Sequence, residues 1–168
     1  MDEEIALVRG WTPGLLGWMI AEHGVSYERD WRLGRLFEAK VAEGLGELAG
    51  RPDPAADLLL SARSGDAILG AIAVDATGAH AATQGPRIRY FILAESARGR
   101  GVGRRLLAGA MSFIAERGFD RAWLTTFAGL DAARHLYESV GFVLAHEELD
   151  TTWGTPLTEQ RFDWRKAG

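Results

Sequence analysis

Cysteine is missing from all 168 residues of the chain. Without thiols the protein has no disulfide scaffold, no thiol nucleophile and no thiolate zinc site, so any catalysis must use other groups. No apolar run approaches the ~18 residues that a membrane-crossing helix needs, and the N-terminus begins with acidic residues where a secretory signal carries positive charge. These absences predict a cytoplasmic protein with no membrane partner.

Positive side chains are slightly outnumbered by acidic ones overall, but one segment is rich in arginine. The formal net charge of -4 argues against a general basic surface for nucleic acid, so no nucleic-acid partner is expected. Between Arg87 and Arg105, however, six arginines accompany a single acid, Glu95. The planar guanidinium group suits phosphate, so this segment predicts a local anionic ligand.

The chain length favours one domain, residues 1–168.

The spacing of apolar residues predicts alternating strands and helices. Strands are expected at residues 5–9, 57–63, 67–75, 87–94, 121–126, 142–148 and 161–165, and helices at residues 13–23, 31–48, 102–117 and 131–140. Thr12 is expected to cap the first helix, and residues 76–86 to form a loop. On the fourth strand, regular alternation places Ile88, Tyr90 and Ile92 on one face and Arg89, Phe91 and Leu93 on the other. This order favours an α/β or α+β sheet with helices packed on its faces.

A glycine-rich loop follows the fourth predicted strand and leads into a helix; it comprises Arg98-Gly99-Arg100-Gly101-Val102-Gly103, followed by Arg104. Glycines let the backbone approach a ligand closely, and the N–H groups at a helix start attract anions. Guanidinium groups beside the loop add charge-assisted hydrogen bonds. The loop therefore predicts a phosphate or pyrophosphate site, and the alternative is a simple turn with arginines in solvent.

The spacing of residues in and after the glycine-rich loop narrows the choice of phosphate-bearing ligand. A P-loop requires lysine and then serine or threonine after its last glycine, but Arg104 and Arg105 stand here. The dinucleotide fingerprint fails because Arg104 occupies its third glycine position. The remaining pattern, Arg98-x-x-Gly101-x-Gly103, resembles the acetyl-CoA loop of the GNAT superfamily of acetyltransferases. The resemblance implies acetyl-CoA as co-substrate, bound by Arg98, Gly99, Arg100, Gly101, Val102, Gly103 and Arg104.

A second segment is similar to the other GNAT signature, a helix that ends Leu-Tyr-x-x-x-Gly-Phe. Here it is Leu136-Tyr137-Glu138-Ser139-Val140-Gly141-Phe142. The resemblance implies that Tyr137 is the catalytic residue, a general acid that protonates the departing CoA thiolate. The apolar stripe alone favours core packing for Tyr137. Leu130 stands where the family often has an asparagine that contacts CoA, so that contact is not expected.

The resemblance also implies a fold and a reaction. The expected fold is a single GNAT-type α/β (α+β) domain with a central, mixed, mostly antiparallel twisted sheet of about seven strands and helices on both faces. The fourth strand is expected to part from the fifth, so that the backbone of Ile92, Leu93 and Ala94 binds the pantetheine. The implied reaction is direct transfer, in a ternary complex, to a primary amine of a small molecule or of a peptide or protein. Strand four carries no carboxylate, so the general base is expected from a water relay or another element.

Candidate acceptor residues come from the N-terminal part and from strand four: His23, Tyr27, Glu28 and Tyr90. The alternative for His23 is a simple interaction with a helix end. Tryptophans 11, 18, 31, 153 and 164 are expected as pocket walls or as core. His135 and His146 have no partner at metal-ligand spacing, so no metal is expected.

A narrower resemblance rests on Trp11-Thr12-Pro13-Gly14, on His23-Gly24-Val25 and on the late Trp153-Gly154 and Glu159-Gln160 pairs. These residues are similar to the acetyltransferase half of proteins that fuse a MarR-type regulator to a GNAT domain. The DNA-binding half does not appear in these residues, so DNA regulation is not expected. Two other functions stay open, a non-catalytic CoA sensor of GNAT fold and a different phosphate binder. The oligomeric state is open between a monomer and a homodimer.

Overall fold

One sheet organises the protein. The structure, a computed structural model, describes residues 4–168, and the seven strands among them are β1 Ala6–Arg9, β2 Leu58–Ser64, β3 Ala67–Asp75, β4 Arg87–Leu93, β5 Arg121–Phe127, β6 Val143–Asp150 and β7 Leu157–Arg165. Their order in the sheet is β1-β2-β3-β4-β5-β7-β6. β4 and β5 pair in parallel, and every other neighbouring pair is antiparallel. The predicted mixed, mostly antiparallel sheet of seven strands is confirmed.

Helices cover both faces of this sheet, as predicted. They are α1 Leu15–Trp31, α2 Gly34–Ala49, α3 Ala81–Gln84, α4 Val102–Glu116 and α5 Asp131–Ser139, with a 3-10 turn at Glu95–Ala97. Adjacent residues of β3 show the two layers: Ala71 packs in the cluster with α1 and α2, while Ile72 packs in the cluster with α4 and α5. Two apolar cores therefore lie on opposite sides of one sheet.

Two helix boundaries differ from the expectation. α1 runs to Trp31, and Arg32 then adopts a left-handed conformation with φ 56°, which turns the chain into α2. Thr12 does not cap α1 through its side chain; Gly14 occupies the N-cap position, and the Thr12 hydroxyl accepts a hydrogen bond from the Arg63 guanidinium instead. The capping expectation is wrong because a strand residue distant in sequence takes this hydroxyl.

Two other segments also depart from the expectation. The predicted loop at residues 76–86 contains the one-turn helix α3. β7 begins at Leu157, four residues before the predicted start, because its pairing with β6 extends to Leu157 and its pairing with β5 to Glu159. The longer β7 brings Glu159 into the sheet opposite Phe127.

β4 contains a bulge at Tyr90. This residue has φ 53°, and the register with β3 shifts between Ala71, which faces Ile92, and Ala73, which faces Arg89. The regular alternation predicted for this strand is therefore wrong, because a bulge inserts one extra residue and reverses the facing of the residues after it. Tyr90 packs in the α1 and α2 layer, whereas Phe91 packs against the core of α4 and α5.

Candidate functional site

β4 and β5 part from each other in the middle of the sheet. Their ladder within the described chain consists of one pair, Arg87 with Trp123, and the rest of β4 pairs only with β3. The gap leaves backbone polar groups of β4 without a strand partner, and such groups need one. A V-shaped opening therefore lies between two central strands of the sheet.

The three residues expected to bind the pantetheine do not face this gap alike. The Ala94 N–H donates to the Leu69 carbonyl at 2.9 Å, and the Ala94 carbonyl accepts from the Ala97 N–H at 3.0 Å. Backbone groups alternate between the two neighbours along an antiparallel strand, so Ile92 faces β3 like Ala94, and Leu93 faces the gap. The structure thus singles out Leu93 among the three for backbone contact with a ligand in the gap.

The glycine-rich loop lies between β4 and α4. Gly99 and Gly101 have φ values of 74° and 76°, and a Cβ at either position would meet no atom of the described residues within 4 Å. Gly101 is the N-cap of α4, and no side chain in the described part of the chain makes a capping hydrogen bond to that helix. A left-handed residue with open space beside it leaves the first N–H groups of the helix accessible to an anion. This backbone fits a pyrophosphate.

Other residues of the loop have separate places. Val102 is 1% exposed, so its side chain belongs to the core and only its backbone can contact a ligand. Gly103 lies where a Cβ would come within 3.1 Å of Leu136 and 3.2 Å of Leu93, so its small size serves close packing of α4. The arginines at positions 98, 100 and 104 are exposed, and the structure gives them no ion pair within residues 4–168. They remain free to bind phosphate oxygens.

A cavity of about 170 Å³ lies beside the gap, beneath α1 and α2. It brings Tyr137 together with three of the four candidate acceptor residues; its lining includes His23, Tyr27, Phe37, Lys40, Arg87, Arg89, Tyr90, Phe127, Tyr137, Trp153 and Glu159. Glu28 is not part of this lining. Its carboxylate accepts the Gly34 N–H at 2.7 Å, so the structure places it at the corner between α1 and α2.

Tyr137 is both a core residue and a wall of the cavity. It is 6% exposed, and its ring packs near Phe91 and Phe142 with centroid distances of 6.1 and 6.2 Å. Burial raises the pKa of its hydroxyl above the ordinary value for tyrosine. The hydroxyl therefore stays protonated at neutral pH, as a general acid must.

His23 lies within α1 and not at a helix end. Its Nδ1 is 2.7 Å from the Met19 carbonyl, so Nδ1 carries the proton and donates it to that acceptor. Burial lowers the pKa of His23 to about 4, which makes the ring neutral at physiological pH. Tyr27 stacks 6.0 Å from it, and burial, together with the nearby Asp30, raises the pKa of Tyr27 to about 12. These two rings give the cavity an uncharged wall.

Comparison with known proteins settles the family. Residues 19–142 match the model of the acetyltransferase (GNAT) family, which is most of the chain and includes both the loop and the Tyr137 helix. The chain belongs to the acetyltransferase (GNAT) family. Among curated proteins, none gives a significant match to this GNAT chain.

Solved structures share the GNAT fold along nearly the whole chain. A ribosomal-protein-alanine N-acetyltransferase from Brucella melitensis superposes with a TM-score of 0.76 at 18% identity, covering 95% of this chain and 99% of that one. The protein yncA from Salmonella typhimurium, solved with its cofactor acetyl-CoA, has a TM-score of 0.73 at 11% identity over 98% and 95% of the two chains. Spermidine N-acetyltransferase from Vibrio cholerae, solved with CoA and spermine, has a TM-score of 0.69 at 16% identity over 98% and 97%. Identities this low establish the fold alone.

Glu159 is the carboxylate of the cavity lining, and the sequence assigned it no role in the site. It lies on β7 opposite Phe127, and burial raises its pKa, with the acids Asp150 and Glu148 acting in the same direction and Arg87 opposing them. The sequence signals were its place just before a predicted strand and its part in the narrower resemblance, and neither indicated the cavity, because the position of Glu159 depends on pairing between distant strands. In this GNAT chain, the carboxylate missing from β4 is thus supplied to the cavity by β7.

Within residues 4–168, no helix has the length and apolar character required to cross a membrane. The same part of the chain contains no cluster of three or more histidine, aspartate or glutamate side chains arranged to hold a metal ion.

Proposed function

We propose that this protein transfers the acetyl group of acetyl-CoA to a primary amine of a small molecule, with a peptide or protein amine as the alternative acceptor. The observation that carries the proposal is that the buried Tyr137 hydroxyl and the candidate acceptor residues line one cavity beside the gap between β4 and β5. Membership of the GNAT family supports it. Solved relatives with acetyl-CoA or with CoA support the choice of donor.

The donor site would combine the gap and the loop. The backbone of Leu93 faces the gap, where an amide-bearing pantetheine would find partners. The loop backbone at Gly99, Gly101 and Gly103 and the first turn of α4 would bind the pyrophosphate, and the exposed arginines 98, 100 and 104 would add charge. Each group is available, because Gly101 has open space beside it and no side chain caps α4.

Acetyl-CoA supplies the acetyl group as a thioester: transfer forms a C–N bond to the amine, breaks the C–S bond and leaves a thiolate. Tyr137 gives its hydroxyl proton to that sulfur, and the nitrogen now bonded to the acetyl carbon releases its extra proton to the Tyr137 oxygen, which restores the hydroxyl and leaves a neutral amide and a free thiol. Glu159 accepts the proton that the ammonium group of the acceptor must lose, since it is the carboxylate on the cavity wall. The chain has no cysteine, which excludes an acyl-cysteine intermediate and supports direct transfer in a ternary complex.

The test combines cofactor binding with turnover. Saturating acetyl-CoA should raise the melting temperature, since a ligand that binds only the folded state stabilises it. A panel of amines should then include acceptors that release free CoA thiol. Absence of a thermal shift would contradict the donor site. A thermal shift without thiol release from any amine would favour the non-catalytic CoA sensor.

The homodimer that the sequence left open has one structural observation in its support. β6 is an edge strand of the sheet and is exposed along nearly its whole length, with Val143 67% and Leu149 69% exposed. Exposed apolar edge strands favour pairing with another chain. Light scattering of the wild type and of Val143→Lys tests this proposal. The likeness to MarR-fused acetyltransferases and the cytoplasmic location stay predictions.

A further inference from the structure

The cavity contains more positive than negative side chains. Lys40, Arg87 and Arg89 contribute positive charge to its lining, and Glu159 is the carboxylate among the lining residues. His23 adds no charge, because its pKa of about 4 leaves the ring neutral. A binding site with an excess of one charge favours ligands of the opposite charge and repels like-charged ones.

Two of these three cations have carboxylate partners within the protein. Arg89 lies 3.3 Å from Asp75, which also binds Arg51 at 2.7 Å, and Lys40 Nζ lies 3.8 Å from a carboxylate oxygen of Glu43. Their charges are therefore at least partly offset before any ligand arrives. They do not define a site for a ligand anion by themselves.

Arg87 differs from both. In the described part of the chain it has no ion pair; its Nη2 donates to the Thr125 hydroxyl at 2.7 Å, and its Nε is buried without a hydrogen-bond partner. Burial lowers the pKa of Arg87 to about 10, and the like charge of Arg89 contributes. Arg87 is half-buried, and the negative charges of Glu159 and Asp75 act on it without forming an ion pair with it in the described residues. A partly buried cation without a bonded counter-ion costs free energy, and binding an anion recovers part of that cost.

The guanidinium group of Arg87 is also held in place. Its Cζ lies 4.6 Å from the centroid of the Trp123 ring, and the Cζ of Arg161 lies 4.4 Å from the same centroid. Stacking on tryptophan and the bond to Thr125 fix the group before a ligand binds, which reduces the entropy lost on binding. A fixed planar fork matches the geometry of a carboxylate.

We propose that the acceptor is a small primary amine that also carries a carboxylate, in the manner of an amino acid, and that Arg87 binds this carboxylate. The inference rests on the proposed function and names the substrate class for that site. Phe37, Phe127 and Trp153 form an aromatic cluster in the lining, with centroid distances of 5.3 and 6.2 Å from Trp153. An apolar or aromatic side chain on the amino acid would pack against them.

The turnover test uses pairs of amines that differ only in the carboxylate, for example phenylalanine against phenethylamine and lysine against cadaverine. The wild type should show kcat/KM at least about tenfold higher for the carboxylate-bearing member, as expected for a charged hydrogen-bonded contact. Arg87→Gln should remove this preference: kcat/KM for phenylalanine should fall at least about tenfold further than kcat/KM for phenethylamine, which also responds to the loss of positive charge beside Glu159. Arg161→Gln is the matched control, because it removes the other guanidinium from Trp123 but lies outside the cavity lining, and it should keep the preference.

A binding test separates this inference from the proposed function. 3-Phenylpropionate, which has the carboxylate but no amine, is titrated by calorimetry into the protein saturated with CoA. Binding to the wild type and to Arg161→Gln, with at least a tenfold loss in Arg87→Gln, supports the anion site even if no amine is acetylated. Equal or better turnover of spermine, cadaverine or phenethylamine overturns the inference and leaves the acetyltransferase proposal intact. A peptide with an acidic residue beside its N-terminus that outperforms free amino acids overturns the small-molecule assignment.

Discussion

The hydroxyl of Tyr90 lies directly beneath Gly44 of α2. A Cβ at position 44 would overlap that hydroxyl and would lie 3.3 Å from Cζ of the Tyr90 ring. The hydroxyl itself is buried and has no hydrogen-bond partner among residues 4–168. The bulge in β4 directs Tyr90 toward this helix, so a backbone irregularity in the sheet determines which residue α2 tolerates.

Gly44→Ala should therefore destabilise the protein by about 1–3 kcal/mol, because overpacking outweighs the gain in helix propensity. Chemical denaturation of the single variants and of Gly44→Ala/Tyr90→Phe measures the effect. The double variant should recover most of the loss, since the second change removes the overlapping atom. Gly46→Ala, on the same helix, is the control, because a Cβ at position 46 would meet no atom of the described residues within 4 Å. This variant should stabilise the protein by roughly 0.5–1 kcal/mol.

Gly101→Ala should weaken acetyl-CoA binding. Alanine at φ 76° costs about 1–2 kcal/mol of strain, and its methyl group occupies the open space at the start of α4. Gly118→Ala provides the control, because Gly118 has φ 75° and equally open surroundings but follows the opposite end of α4. Both variants should lose similar stability, and calorimetry should show reduced acetyl-CoA affinity in Gly101→Ala alone. Equal affinities in the two variants would contradict the loop assignment.

The Tyr137→Phe variant should distinguish an effect on the acetyl-transfer step from an effect on acetyl-CoA binding. Phenylalanine keeps the ring packing near Phe91 and Phe142 but removes the hydroxyl that is proposed as the proton donor. The expected result is a fall in kcat of about 10²-fold or more with acetyl-CoA affinity within about twofold of the wild type. Steady-state kinetics and cofactor titration measure the two quantities. A variant with unchanged kcat would leave Tyr137 with core packing as its only role.

Glu159 predicts an acidic limb in the pH profile of kcat/KM. Its pKa is raised mainly by burial, with Asp150 and Glu148 adding to this effect and Arg87 opposing it. Because the ionised carboxylate accepts the proton, activity should rise with pH through this raised pKa, and Glu159→Gln should lose the limb and about 10²–10⁴-fold in rate. Glu148→Gln removes one of the neighbouring negative charges and should shift the limb to lower pH with the rate at its plateau retained. A limb that persists in Glu159→Gln would assign proton transfer to another group.

His23 predicts a loss of stability in acid. Its pKa is about 4 in the folded protein and about 6.5 in an unfolded chain, so below pH 6.5 the unfolded state binds the proton first. The contribution is fully present above pH 6.5 and is lost as pH falls toward 4, by on the order of 3 kcal/mol. Denaturation of His23→Gln across this range should show a flatter dependence on pH. His146→Gln, at a position 62% exposed, should retain the wild-type slope.

The sequence predicts the features that depend on residues close to one another along the chain. The glycine loop before α4 and the Leu136–Tyr137 helix are local motifs, and the apolar periodicity places most strands and helices within a few residues. Glu159 was missed because its approach to the cavity depends on pairing with Phe127, and Tyr90 was misplaced because a bulge leaves no local signature. Glu28 has suitable chemistry, but a backbone N–H of the next helix takes its carboxylate. Contacts between distant elements decide these three positions.

Because β4 and β5 share a single residue pair, Arg87 with Trp123, the hydrogen-bonded ladder of the seven-stranded sheet is interrupted between these two strands. Four strands lie on one side of the β4–β5 boundary and three on the other. Along most of this boundary, the described strands lack the ladder hydrogen bonds that join other neighbouring strands of the sheet. A ligand that bridges the boundary would act as an additional strand and join the two halves. Amide hydrogen exchange in β4 and β5 should then slow on ligand binding more than exchange in the continuous β2–β3 hairpin. The sheet would therefore be most rigid when the ligand is bound.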